Sequence, residues 1–187
     1  MKHKLFCALG LIVLGMVSLG VSPAEAATAA GPYYANPSWD QTLPASTRFI
    51  VLSNMGSAAV LDRETGLVWE QSPTAPPTAP NTFTWLAAQS HCNTLTVGNR
   101  KGWRLPTLQE LASLVDGDPA NTSSPRLPPG HPFTNVQSSF YWSATSIASN
   151  SDFAWAVNFS NGFVVVGDKS NDLFVWCVRG GQGVDPQ

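Results

Sequence analysis

The order of apolar patterns along the chain predicts an α+β domain in which two helices pack on an antiparallel β-sheet and long irregular loops connect the rest. Three observations carry this. Strand-like runs stand at both ends of the domain, two segments of helical spacing lie between them, and a proline-rich stretch without periodicity separates the helices from the last strands.

Taken in order, regular structure is expected to begin near Arg48. Arg48–Leu52 and Ala58–Asp62 read as strands. The turn Arg63-Glu64-Thr65-Gly66 puts glycine where a positive φ is needed, and Leu67–Glu70 returns as the partner strand. Pro73, Pro76, Pro77 and Pro80 follow. Proline has no amide to donate, so this segment is a surface loop rather than a helix or a central strand. A helix is expected from Thr82 or Thr84, because Trp85, Ala88, Gln89, Cys92 and Leu95 recur on one face, with Gly98 ending it. Trp103-Arg104-Leu105-Pro106 is short and extended. Thr107-Leu108-Gln109-Glu110 has the form of a capping box, in which hydroxyl and carboxylate each satisfy the other residue's free amide. Leu108, Leu111, Leu114 and Val115 then form a buried stripe, and Asp116-Gly117-Asp118-Pro119 stops the helix.

From Asp118 to Ser138 runs a long irregular loop of the kind that often carries function. Four strands are expected after it, at Phe140–Thr145, Phe153–Phe159, Phe163–Val166 and Leu173–Val178, with Ser160-Asn161-Gly162 as a tight hairpin between the second and third. In the second, Phe153, Trp155, Val157 and Phe159 alternate with Ala154, Ala156 and Asn158, which predicts one heavily aromatic face.

The N-terminus reads as an export signal. Lys2, His3 and Lys4 precede an apolar run from Leu5 to Val21, and Ala24-Glu25-Ala26 supplies a small-residue cleavage site ahead of Ala27, so residues 1–26 are expected to be removed, Cys7 among them. An uncleaved anchor is the alternative, since the run approaches the roughly 18 residues that cross a bilayer. On the first reading the membrane is met only through the signal, and the mature chain is periplasmic or secreted. Residues 27–46, with Gly31-Pro32, Pro37 and Pro44, read as a flexible lead-in to a domain at 47–181 with a tail at 182–187. Tyr33, Tyr34 and Trp39 fall in that lead-in, where no core face is evident.

The chain from Ala27 onward carries 8 Lys and Arg against 11 Asp and Glu, a formal charge of −3. Mild acidity without a basic run argues against nucleic acid as a partner. Charged residues make up only 12% of the sequence while seven tryptophans and nine phenylalanines are present, which suits an aromatic core rather than a disordered chain. Cys92 and Cys177 remain after processing. In an oxidising compartment an even pair reads first as a disulfide, with two separate buried thiols as the alternative.

Cys92, the Trp103-Arg104-Leu105-Pro106-Thr107 box running into Glu110-Leu111, Tyr141-Trp142-Ser143, Asn161-Gly162 and Cys177-Val178-Arg179 together make the sequence resemble the Lcl C-terminal domain family, over about residues 58–180. The resemblance implies a C-type lectin-like fold, with a long-range disulfide tying the first helix to the last strand. It also implies kinship with phage receptor-binding proteins and formylglycine-generating enzymes. The name-giving member is a surface adhesin for sulfated glycosaminoglycans; this chain is acidic and has no collagen repeat, so that ligand is not carried over.

Candidate chemistry is weighed against structural roles. Trp103, Arg104, Pro106, Thr107, Glu110, Trp142 and Arg179 are expected to anchor the fold, with Arg104 and Arg179 donating in a fixed fork. Asn150, Asp152, Asp168, Lys169, Asn171 and Asp172 cluster at predicted hairpin ends and are the candidate ligand contacts. No metal and no cofactor is expected: Asp116-x-Asp118 starts like a calcium loop but lacks the rest of it, and no His/Cys set has zinc spacing. His91 neighbours Cys92, but adjacent helical positions do not face each other. The sequence thus points to a non-catalytic exported domain binding a glycan or protein through the 117–138 loop and the turns at 146–152 and 167–172. A structural or assembly module of the cell envelope is the alternative, and an enzyme the third reading.

Overall fold

The structure is a computed structural model describing residues 27–29, 43–73 and 82–180. The signal segment 1–26, the aromatic residues Tyr33, Tyr34 and Trp39, the prolines 76, 77 and 80 and the tail 182–187 lie outside the described residues.

Eleven strands and three helices follow one another along the described chain. β1 (Ala27–Ala29), α1 (Ala45–Arg48), β2 (Phe49–Leu52), β3 (Ala59–Asp62) and β4 (Leu67–Glu70) come first. β5 (Thr82–Phe83), α2 (Trp85–Thr94), β6 (Trp103–Arg104) and α3 (Leu108–Ala112) form the middle. β7 (Phe140–Ile147), β8 (Asn150–Asn158), β9 (Phe163–Asp168), β10 (Leu173–Phe174) and β11 (Val178–Gly180) complete the order. The domain is α+β, but the single antiparallel sheet expected from the sequence is two sheets. One has the order β1-β2-β3-β4-β11-β6 and the other β5-β10-β7-β8-β9. Two of the pairings, β1 with β2 and β10 with β7, are parallel.

The reason lies in the last strand. Leu173–Val178 was expected to run unbroken, yet Leu173–Phe174 pairs in the second sheet and Val178–Gly180 in the first. Between them Val175, Trp176 and Cys177 are buried. There the side chain of Glu70 takes over a main-chain role: its Oε2 accepts from the Cys177 amide at 2.8 Å, while the Glu70 carbonyl accepts from Trp176 Nε1 at 2.9 Å. A buried amide left unpaired would cost a lost hydrogen bond, and the carboxyl oxygen prevents that.

Other boundaries shift for local reasons. Arg48 ends the helical turn α1 instead of opening a strand, because the Pro44 carbonyl accepts from the amides of Thr47 and Arg48. Part of the lead-in, Ala27–Ala29, is paired as a strand alongside Ile50–Leu52. Thr82–Phe83 is a short strand, so α2 opens at Trp85, and it closes at Thr94, ahead of Gly98. α3 stops at Ala112, and Leu114 and Val115 continue the stripe from non-helical turns, Leu114 fully buried and Val115 packed against the core. The aromatic face expected for β8 is reversed at its N-terminal half: Ala154 and Ala156 are buried while Phe153 and Trp155 are half-buried. Small residues are needed there because the Trp142 indole lies across that face; a Cβ on the neighbouring Gly167 would stand 2.6 Å from it.

Both hairpins follow from the sequence. In the turn after β3, Gly66 adopts φ 71°, and after β8 Gly162 adopts φ 81° with its amide donating to the Asn158 carbonyl at 2.7 Å. Gly162 is required twice over, since a Cβ would come within 2.6 Å of Val115.

Two apolar clusters fill the interior. One gathers Phe49, Trp69, Leu111, Phe133, Tyr141, Phe159 and Trp176 between α3 and the two sheets. Phe133 and Trp176 meet edge to face at 4.9 Å and Trp69 and Trp176 at 5.7 Å, geometries that add to simple burial. The other gathers Ala88, Cys92, Trp103, Trp142, Ala154 and Cys177 beneath α2. Within it Cys92 and Cys177 form a disulfide that closes a loop of 85 residues. A loop of that length restricts the unfolded chain by about 4–5 kcal/mol in the entropy model.

Candidate functional site

The Trp103-to-Glu110 motif is built into the frame. Trp103 is buried and its Nε1 donates to the Arg100 carbonyl at 2.9 Å. Arg104 forks onto Glu110 through Nη1 at 2.7 Å and Nη2 at 2.6 Å, and Nη2 also donates to the Gly180 carbonyl, so one guanidinium ties α3 to β11. The capping box is formed: Thr107 Oγ1 accepts from the Glu110 amide and Glu110 Oε2 from the Thr107 amide. Burial pushes the Glu110 carboxyl up, but the hydrogen bonds from Arg104 and Thr107 outweigh it and hold the group below its usual value. The Pro106 carbonyl accepts from Ala144, Trp142 Nε1 donates to the Phe83 carbonyl, and Arg179 Nε donates to the Lys101 carbonyl. Each of these groups is spent inside the protein.

The hairpin-end residues sit together at one edge of the second sheet. Lys169 Nζ lies 3.9 Å from the centroid of the Trp85 ring and donates to Ser146 Oγ at 2.8 Å and to the Ser151 carbonyl at 2.7 Å. Its ammonium therefore pins the β7–β8 and β9–β10 turns to the start of α2. Asn150 Oδ1 accepts from the Asp152 amide, and Asp168 Oδ1 accepts from both the amide and the hydroxyl of Ser170, which holds the Asp168 carboxyl below its usual value. Asp152, Asn171 and Asp172 are exposed. Among the described residues, no three His, Cys, Asp or Glu side chains are grouped to hold a metal ion.

Beside this polar rim, β9 is an edge strand of its sheet, unpaired on its outer side among the described residues. Val164 and Val166 are 43% and 49% exposed, on the face that also carries half-buried Trp155. On the other face Phe140, Asn158 and Phe163 form one cross-strand row, with Phe163 67% exposed. The sequence marked Phe163–Val166 only as a strand; a run of four apolar residues looks like core until its neighbours are known to lie on one side only.

Two further features escaped the sequence reading. Arg48 is buried with Asp62 and Glu64: Nε and Nη2 donate to the two Asp62 oxygens at 2.9 and 2.7 Å, and Nη2 to the Ser113 carbonyl at 2.8 Å. Glu64 Oε2 stands 3.2 Å from Nε, an ion pair without hydrogen-bond alignment because that hydrogen is directed at Asp62. Arg48 also lines a cavity of about 300 Å³, together with Leu43, Pro44, Ala45, Asp116, Asp118, Pro128 and Pro129. The second feature is Glu70, whose carboxyl is pushed up to about 8 by burial, against the opposing bond from the Cys177 amide. The signal for both was present: acidic residues inside or next to strands whose other members are all apolar. His91 stacks on Phe83 at 4.6 Å, His131 on Phe133 at 5.9 Å, and burial lowers both pKa values.

The two sheets, the disulfide from α2 to the link between β10 and β11, and the capped motif helix define a disulfide-tied α+β domain. Residues 58–179 match the model of the Lcl C-terminal domain, and the chain belongs to that family. No curated protein matches the chain. The disulfide is compatible with an oxidising, exported location, and among the described residues no helix is long and apolar enough to cross a membrane.

Proposed function

We propose that this protein is an exported, non-catalytic recognition domain of C-type lectin-like architecture that binds a glycan or protein outside the cytoplasm. The observation that carries the reading is the free edge of the second sheet. Val164 and Val166 present apolar side chains to solvent next to Trp155, rimmed by the polar turns that hold Asp152, Asp168 and Asn171. Edge strands left unpaired, long and apolar are normally protected, so an unprotected one on a rigid frame is a surface for a partner. The commitment of both sulfurs to one bridge supports a non-catalytic role, since the formylglycine-generating relatives use a reactive cysteine pair.

A glycan array and a pull-down with the protein expressed from the full sequence test this. Saturable binding of a sugar or one retained protein partner is expected, lost on Val166→Lys and weakened on Asp152→Ala or Asn171→Ala. No binding in either assay, or binding untouched by all three substitutions, would reject the surface. Export is checked by the intact mass of protein recovered outside the cytoplasm, which is expected to start at Ala27. The free edge also favours a second reading, an envelope assembly module whose partner adds a strand to β9; a single retained protein with a silent array selects it.

A further inference from the structure

We infer that the strand received by the outer side of β9 is the β9 of a second copy of this chain, antiparallel about a two-fold axis at Val165; this rests on the reading of that edge as a docking surface and names its partner. β9 pairs with β8 on one side and with nothing on the other among the described residues. Antiparallel neighbours alternate between residues that exchange hydrogen bonds and residues that do not. The Lys169 amide donates to the Asp152 carbonyl at 2.9 Å, and these two residues lie opposite each other in the continued β8–β9 register. Stepping back in twos from Lys169, Gly167 and Val165 also turn their main-chain groups toward β8, whereas Val164, Val166 and Asp168 turn theirs outward. Side chains alternate as well: Val164, Val166 and Asp168 share one face, and Phe163, Val165 and Gly167 the other. Two copies of the strand satisfy both alternations when Val165 meets Val165, Val164 meets Val166 and Phe163 meets Gly167. Sliding by one position sets outward groups against inward ones, and sliding by two shortens the ladder.

In this register the facing residues are complementary. Phe163, 67% exposed, lies over Gly167, where the Trp142 indole leaves no room for a side chain. An aromatic ring over a strand glycine is a favourable cross-strand pair. Val164 and Val166 cover each other on the opposite face. Charge fixes the direction. Asp168 closes one end of β9, and Arg126 stands beside the other, its Cδ 3.6 Å from where a Gly162 Cβ would be. Arg126 donates to the main-chain carbonyls of Asp116 and Asp118 and forms no ion pair among the described residues. The carboxylates of Asp116 and Asp118 are turned instead to Asn121 and to the amides of Asp118 and Ala120. Antiparallel pairing places Asp168 opposite Gly162, beside Arg126 of the other copy, and the two-fold repeats the contact. Parallel pairing would set acid against acid. Between Phe163 and Gly167 the strand carries no lysine, proline or other charge of the kind that protects natural edges.

Six residues a side is small beside the roughly 20–30 of a standard interface, so the dimer forms only at high concentration. Sedimentation velocity of the protein expressed from the full sequence, from about 10 μM to about 1 mM, is expected to show monomer giving way to dimer. Val166→Lys is expected to raise the dissociation constant about tenfold or more. Cysteine crosslinking under mild oxidation reads the register. Val165→Cys is expected to give a covalent dimer, because opposed residues that do not exchange hydrogen bonds stand about 4.5 Å apart, within disulfide reach. Phe163→Cys is expected not to, because its two copies lie about 13 Å apart along the ladder. Chance collision would favour position 163, the more exposed of the two. The native cysteines are buried and do not compete. Faster crosslinking of Phe163→Cys than of Val165→Cys would overturn the pairing. A protein monomeric throughout, with capture of a foreign ligand still lost on Val166→Lys, would overturn the second copy and leave the recognition reading standing; a monomer that captures nothing would overturn both. The expected crosslink with a silent array and an empty pull-down would uphold the pairing and reject a foreign ligand.

Discussion

The two sheets are finished differently. In the first, all eight residues of β3 and β4 are buried, and Arg48 is held there in ion pairs with Asp62 and Glu64. In the second, β9 has no neighbour on its outer side among the described residues and exposes two valines and a phenylalanine. The same short chain therefore separates the task of staying folded from the task of meeting something else. The cross-connection at Val175–Cys177, with the disulfide beside it, holds the unfinished sheet to the finished one.

The most severe way to break this contrast is to open the first sheet. Arg48→Met would leave Asp62 and Glu64 buried without their counter-charge, which typically costs 3–5 kcal/mol, so a fall of about that size in urea-unfolding stability is expected. A loss below about 1 kcal/mol would show that the cluster is not what closes the sheet.

Glu70 tests the seam between the sheets through pH. Its folded carboxyl titrates near 8 against an ordinary value of 4.5. Between these values the unfolded chain has released the proton and the folded chain still holds it, so stability falls as pH rises through the window, by ~1.4 kcal/mol per unit for this one group. Below 4.5 both states are protonated and the slope vanishes. Glu70→Gln keeps an acceptor for the Cys177 amide and removes the titration. The variant is expected to gain on the wild type as pH rises from 5 to 8 in thermal melts with the disulfide intact. Parallel curves for the two proteins would place the titration elsewhere.

Glu110 has the opposite sign and a smaller size. Its folded carboxyl is held below the ordinary value, so its contribution is present at neutral pH and is lost as pH falls through the folded value. Arg104 is one-third exposed, and solvent screens the pair. Arg104→Lys, which cannot fork onto both oxygens, is expected to cost about 1 kcal/mol at pH 7 and less at pH 3. An equal cost at both pH values would mean that the loss is one of packing.

What the sequence disclosed follows the range of the interactions involved. The capping box at Thr107 and Glu110, the glycine turns at Gly66 and Gly162, and the two helical stripes depend on neighbours within a few residues, so their spacing announces them. The Cys92–Cys177 bridge was legible because only two cysteines follow the signal segment. The split of Leu173–Val178 between two sheets was not, because it depends on Glu70, more than a hundred positions away, lending a side-chain oxygen to the Cys177 amide. The burial of Ala154 and Ala156 in place of Phe153 and Trp155 was hidden for the same reason: it is imposed by the Trp142 indole from a neighbouring strand. At the candidate surface, the polar turn residues could be marked from composition, whereas the apolar edge beside them could not. Whether a valine strand is central or terminal is decided by sheet order, which no local pattern encodes.

The mildest change sharpens the contrast most. Val166→Lys places a charge at a position half exposed on the free edge, a substitution that natural sheets use to keep edges from pairing. Surface changes of this kind usually alter stability by no more than about 0.5 kcal/mol. The expected outcome is therefore an unchanged unfolding curve together with lost or strongly weakened capture of the ligand or partner. The same lysine at Val60 or Val68, buried in the first sheet, is expected to unfold the domain, because there the charge has no counter-ion and no water. A Val166→Lys protein that binds as well as the wild type would mean that β9 is left open without being used, and the turns around Lys169 would then have to carry recognition alone.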